Sequence, residues 1–182
     1  TQQYLFDLQG YLVIENALSL EEVMILNRLI DQQDLPITEE ALRFGAAAGA
    51  TEGGAGFLEW GAPFCELLDH LKIMPILRFV LGDCFRLDRL YGIRMSTGMP
   101  RGHLHADYGA TSPYSGARPG KRYHCRDNEI QGGFVVVAWN LSETGPKYGG
   151  FCCIPGSHKS NFKLPKMIEE APEQSSCVVI PH

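Results

Sequence analysis

Two apolar stretches of helical spacing, followed by short period-two runs between glycine and proline turns, predict an α+β chain built on a β-sandwich or barrel. The helical stretches fall before residue 84 and the alternating runs after it. At 182 residues the chain is long enough for one domain with a sizeable core. The expected organisation is therefore a single domain, 1–182. Its helical part, 1–84, packs on a jelly roll made by the strands of 85–182.

Gly10-Tyr-Leu-Val-Ile14 is a short apolar run consistent with a strand, within Leu5–Ile14. Ser19 and Glu22 form an S-x-x-E capping box, so a helix starts there. Val23, Leu26, Asn27 and Ile30 follow on one face, widened by Leu29, and the helix should stop before Pro36. Residues 45–56 are almost all glycine and alanine and read as a mobile loop, with a lid over a pocket as the alternative. Pro63 opens a second helix, Phe64–Leu81, which Pro75 kinks or splits and Gly82 ends. From Phe85 to Arg94 the pattern alternates, as in a strand. The stretch 111–126, with Arg118, Lys121, Arg122 and Arg126, reads as a long basic loop whose default role is a solvated surface. Gly133-Phe-Val-Val-Val-Ala-Trp-Asn-Leu141 reads as a strand buried on both faces. A hairpin-like turn over 142–150, a short strand Phe151–Ile154 and a further strand from Cys177 complete the pattern.

The net charge of −5 argues against nucleic acid or an anionic membrane surface as the main partner. No apolar run approaches the ~18 residues that a membrane-spanning helix requires. The N-terminus carries no basic region followed by an apolar stretch, so no signal peptide is expected. The six cysteines include no C-x-x-C, and Cys152 and Cys153 are adjacent. They are expected to be reduced and mostly packed, and the compartment cytoplasmic.

The sharpest chemical signal is His105-Ala-Asp107 within Arg101-Gly-His-Leu-His-Ala-Asp-Tyr-Gly109. On a strand, alternate residues share a face, so the two side chains would sit roughly 6.6 Å apart at the α-carbon and could converge on one cation. Two such ligands with a distant histidine make the facial triad of non-haem Fe(II) oxygenases. His103 lies on the same face, but it and Asp107 would stand about 13 Å apart, too far for one metal with bonds of roughly 2 Å. The pairs His103/His105 and His105/Asp107 both remain open on geometry. The tripeptide alone is more often a surface or turn feature than a ligand pair.

Two further stretches extend the signal: Val136-Val-Ala-Trp-Asn-Leu-Ser-Glu143 and Gly149-Gly-Phe-Cys-Cys-Ile-Pro-Gly-Ser-His-Lys159. With the upstream His105-Ala-Asp107, they resemble the phytanoyl-CoA dioxygenase family over nearly the whole chain, most strongly over 85–159. The resemblance implies a double-stranded β-helix of cupin-like type. It implies an Fe(II)/2-oxoglutarate-dependent dioxygenase that hydroxylates an unactivated C–H of a small-molecule or acyl substrate, with dioxygen as the other partner. It selects His105 and Asp107 as the first two iron ligands. Trp139 matches an aromatic lining the 2-oxoglutarate pocket, and Leu90 an apolar contact to that cosubstrate. Arg94 occupies the position of a basic residue near the pocket, or is a surface arginine. The carboxylate of Asp107 favours hydroxylation over halogenation, because related halogenases carry a small residue there.

By the same resemblance His158 is not an iron ligand but caps a turn beside the site. The third ligand and the cosubstrate's arginine belong to a later strand, expected beyond residue 182. His182, 24 residues past His158, is the second choice for that ligand. Three rivals are a cupin-type enzyme using His103 and His105, a zinc protein using His124, Cys125, Cys152 and Cys153, and a β-helix that has lost its iron and serves as a binding module.

Overall fold

In the computed structural model the described residues are 1–46, 56–88, 90–96, 98–105, 123–145, 148–160, 162, 164–172, 175–176 and 178. Helix α1 spans Gln2–Gln9 and α2 spans Leu20–Asp31. Strand β1, Leu42–Ala46, precedes a 3-10 helix over Gly56–Trp60 and the short α3, Ala62–Cys65. Helix α4 spans Met74–Leu81 and strand β2 spans Leu90–Arg94. Strands β3, His124–Arg126, and β4, Glu129–Gln131, form a hairpin. A 3-10 turn over Ser157–Lys159 and α5, Lys166–Glu170, follow.

The chain divides into two compact units. One contains Thr1–Glu15, Leu77–Asp83 and Gly102–His182; the other contains Asn16–Ile76 and Cys84–Arg101.

In the second unit, α2 begins where the capping box predicts. Glu22 N–H donates to Ser19 Oγ at 3.2 Å, and Ser19 N–H donates to Glu22 Oε2 at 2.7 Å. Leu26 is fully buried, while Val23, Asn27, Leu29 and Ile30 are half-buried, as the periodicity requires. The core of this unit is aromatic. Phe57 lies 5.1 Å from Phe64 and 6.2 Å from Phe44, and Trp60 stacks on Phe44 at 5.4 Å between ring centroids. Strand β1 pairs antiparallel with β2, setting Leu42 opposite Arg94 and Phe44 opposite Gly92. A Cβ on Gly92 would overlap the Phe44 ring, so glycine is what admits that ring to the core.

The sequence places a loop at 45–56, and this is corrected at both ends. Residues 45–46 close β1 and residue 56 opens the 3-10 helix, while 47–55 lie outside the described residues. Gly45 serves a tight approach: its φ is +90°, and a Cβ there would stand 2.9 Å from Leu90 O. Of the two outcomes expected at Pro75, a kink or a split, the Phe64–Leu81 stretch takes the split: α3 ends at Cys65 and α4 begins at Met74. Pro75 sits in the first turn of α4, where its missing N–H costs nothing, so it starts a helix instead of bending one. Gly82, at φ +80°, ends α4 by donating to Arg78 O at 2.9 Å.

In the first unit, Val80 is buried and packs against Gly132, whose N–H donates to Val80 O at 3.2 Å. The β3–β4 hairpin turns through Asp127 and Asn128, both at positive φ (53° and 64°), the geometry of a tight two-residue turn matched to strand twist. It lies partly inside the stretch read as a loop; residues 111–122, with Arg118, Lys121 and Arg122, fall outside the described residues. The turn expected at 142–150 is present: Gly145 and Gly149 exchange N–H···O bonds of 2.9 and 2.8 Å.

The strand expectations are where the structure departs most. Leu5–Gln9 belong to α1, and Tyr11–Ile14 join no ladder. Of 85–94 only Leu90–Arg94 pair, and Phe85–Asp88 do not. Residues 133–141 form no ladder either. Val136 is 64% exposed, which contradicts burial on both faces. Phe151–Ile154 likewise form no regular strand, and Phe151 is exposed. The described residues hold two two-stranded sheets and no closed barrel. The double-stranded β-helix of the sequence reading is thus not formed by them. Apolar composition sets which segments could pair, but a ladder also needs a partner at the right register.

Candidate functional site

His105 ends the described segment 98–105 and is exposed. Residues 101–105 join no ladder, so the strand on which His103 and His105 would share a face is absent there. Instead the His105 ring turns back on its own backbone: Nδ1 lies 2.8 Å from His103 O. A carbonyl can only accept, so Nδ1 is the donor in this contact. A ring nitrogen anchored on a backbone carbonyl is the arrangement a metal-ligating histidine uses, with the other nitrogen turned to the metal. His105 therefore fits a divalent metal as an Nε2 ligand. Asp107 and His182 lie outside the described residues. Among the described residues no three His, Cys, Asp or Glu side chains gather as a metal group. That includes His124, Cys125, Cys152 and Cys153, which are all described.

Trp139 is half-buried and lies in the same compact unit as His105. Leu90 and Arg94 are the first and last residues of β2, in the other unit, with Leu90 half-buried and Arg94 exposed. Arg94 Nη1 donates to Leu35 O at 3.0 Å, which holds the guanidinium over a cavity of about 150 Å³. Pro36, Ile37, Thr38, Ser96 and Met99 line the rest of that cavity.

His158 has a different occupation. The turn 155–159 closes the C-terminal end of α1, whose last carbonyls have no partner within the helix. Gly156 N–H donates to Gln9 O at 2.9 Å, and His158 Nε2–H donates to Asp7 O at 3.1 Å. Lys159 Nζ reaches Asp7 Oδ1 at 3.4 Å, so a cation sits near the negative end of the helix dipole. Tyr123 OH donates to the same Asp7 Oδ1 at 2.6 Å, and its ring meets the His158 ring edge-on at 4.5 Å. Phe6 packs on the other side of Tyr123 at 6.2 Å. Gly10, at φ +81°, completes the joint, because a Cβ there would overlap the His158 ring at Nδ1.

The ionisation of this cluster follows its geometry. The Tyr123 hydrogen bond, with help from Lys159, holds the Asp7 carboxyl below its ordinary range against the opposing effect of burial. Burial first, then the bond to Asp7, pushes the Tyr123 phenol up. Burial pushes His158 down, assisted by the nearby Lys159 charge and opposed by the Asp7 carbonyl. His158 Nδ1 is buried and meets no hydrogen-bond partner among the described residues. A neutral, carbonyl-anchored imidazole wedged against Gly10 is a structural histidine, so the geometry agrees with leaving His158 out of the metal set. Sequence reasoning found His158 but not its partners Asp7, Tyr123 and Gly10. They are separated from it by up to 151 positions, and no local pattern links them.

The family model for phytanoyl-CoA dioxygenase (PhyH) matches residues 6–176 of the chain. Searches of curated proteins and of solved structures gave no match.

Proposed function

The chain belongs to the phytanoyl-CoA dioxygenase family, and on that premise we propose that it is an Fe(II)/2-oxoglutarate-dependent dioxygenase that hydroxylates an unactivated C–H of a small-molecule or acyl substrate. The observation that carries this reading is the family match over 6–176, which takes in the H-x-D, Trp139 and the Pro155–Lys159 turn together. When bound, iron and 2-oxoglutarate supply oxidative decarboxylation to succinate coupled to oxygen insertion.

The chain's own residues have the following parts. His105 offers Nε2 to iron, and the His103 carbonyl keeps the proton on Nδ1 so that Nε2 stays a donor of electrons. Asp107 adds the carboxylate ligand, which also offsets cationic charge and leaves no place for a halide. The resemblance assigns the third ligand to a later strand, with His182 as second choice. By the resemblance Trp139 corresponds to an aromatic that lines the 2-oxoglutarate pocket, and Leu90 to an apolar contact with that cosubstrate. Arg94, already oriented by Leu35 O, pairs with a carboxylate. A double-stranded β-helix is the fold that goes with this assignment, and the chain works as one domain. No helix among the described residues is long and apolar enough to cross a membrane. Of the five described cysteines, Cys65, Cys84 and Cys125 are exposed, which corrects the expectation that most are packed.

The test is succinate formation from 2-oxoglutarate under air, with and without Fe(II), in wild type and in His105→Ala. Wild type is expected to turn over only with iron, uncoupled or coupled. His105→Ala should lose more than the roughly 10–100-fold that removal of a ligand's hydrogen-bond partner costs. Iron-independent or absent wild-type turnover, or an unaffected His105→Ala, overturns the reading.

A further inference from the structure

The joint between α1 and the 155–159 turn contains a titratable group that the dioxygenase reading does not use. His158 is bound there only in its neutral form. Nε2–H is committed to Asp7 O at 3.1 Å. Nδ1 faces Gly10 so closely that no Cβ fits, and it is buried with no acceptor among the described residues. A proton added to Nδ1 would bury a charged N–H with nothing to receive it, a loss comparable to leaving a charged donor unpaired. The ring would have to leave the joint to reach water. The Gly156–Gln9 bond and the Lys159–Asp7 pair cross the same interface, and they would loosen with it.

We propose that His158 is a proton-operated latch, which holds helix α1 against the Pro155–Lys159 turn when neutral and releases it when protonated.

The other ionisable groups facing the ring do not compete in the relevant range. Asp7, from α1, is held in its ionised form by Tyr123 and Lys159. Tyr123, ahead of β3, stays protonated because burial and Asp7 raise it, and Cys125 on β3 acts on it in the same direction. Lys159, on the turn itself, repels a second positive charge. His158 is the group in this cluster whose ordinary titration range lies nearest neutral pH, and folding moves it down. The direction follows. Folding depresses the imidazole, so the joint is at full strength above the ordinary imidazole value of about 6.5 and weakens as pH falls below it. This inference stands on the joint alone and does not depend on iron.

The experiment is amide hydrogen exchange of the segment covering residues 2–9, on the full chain, from pH 7.5 to 5.0 after correction for intrinsic rates. Protection of that segment should fall by about tenfold for each unit by which folding depresses the imidazole, with the segments around the α2 capping box unchanged. His158→Gln keeps a donor for Asp7 O but cannot titrate, so it should hold α1 protected across the range. The His158 imidazole signal, followed by NMR in wild type, should titrate below the ordinary imidazole value, at the lower end of the range over which α1 protection falls. This second readout serves if His158→Gln does not fold. Unchanged protection at pH 5.0, equal pH dependence in His158→Gln, or an imidazole that titrates without loss of α1 protection overturns the latch.

Discussion

Gly10 is asked for two things at once: a backbone φ of +81°, and an empty space where the His158 ring lies. Either demand alone disfavours a side chain; together they leave only glycine. Gly10→Ala should therefore destabilise the chain by about 2 kcal/mol or more, read as a lowered midpoint in chemical denaturation, with α1 losing exchange protection at every pH. Gly92 makes a related case in the other unit, since the Phe44 ring occupies the space its Cβ would need. At His105 the decisive residue-scale fact is the contact of Nδ1 with His103 O at 2.8 Å. That fact could not be read from H-x-D spacing, which treats the histidine as part of an ideal strand and ignores a carbonyl two residues back.

Helix α2 was legible from end to end, because a capping box and a 3.6-residue stripe are interactions among residues three or four apart. Ser19→Ala removes the bond from Glu22 N–H to Ser19 Oγ and the Ser19 hydroxyl's own bond to Glu22, leaving only the Ser19 backbone N–H on Glu22 Oε2, and is expected to cost about 1 kcal/mol, measurable as a fall in thermal midpoint. The stop at Gly82 was legible for the same local reason, and so was a split of the Phe64–Leu81 stretch as one of two outcomes; that the gap lies between Cys65 and Met74, ahead of Pro75, was not. Strand β1 was not. Its Leu-Arg-Phe-Gly-Ala sequence runs into a glycine- and alanine-rich stretch, and composition reads such glycine as flexibility. Here glycine admits a neighbour: Gly45 lets β1 approach Leu90. The β3–β4 hairpin was missed although Asp127-Asn128 is a recognisable tight-turn pair, because prolines, glycines and charges upstream dominated the reading.

On the scale of the whole molecule, stability rests on two small cores and on acid-sensitive joints. Phe57 touches Phe44, Trp60 and Phe64, so Phe57→Ala should cost about 3–5 kcal/mol in a denaturant titration. Acid should act in two steps. His158, depressed by folding, gives stability that is present above about pH 6.5 and lost below it. Asp7 and Glu22, depressed by hydrogen bonds from Tyr123 and Ser19, give stability that is present above the ordinary carboxylate range and lost as pH falls through their lower folded values. A denaturation midpoint measured from pH 8 to 3 should therefore fall first below about 6.5 and again below about 4, and His158→Gln should remove the first fall only.

The sequence by itself determined the family, through an H-x-D, a Val-x-Trp segment and a Pro-Gly-Ser-His-Lys turn spread over 85–159. It also determined the start of α2 and the end of α4 at Gly82, because those depend on neighbours within one turn, but not α1, whose Leu5–Gln9 read as part of a strand stretch. Tertiary structure decided which apolar segments found ladder partners, why Gly92 and Gly10 are glycine, and what His158 does. Each of these depends on groups brought together from positions far apart in the chain. His158 makes the difference plain: in the sequence it is one letter of a motif, and in the fold it is a neutral donor closing a helix 151 residues away.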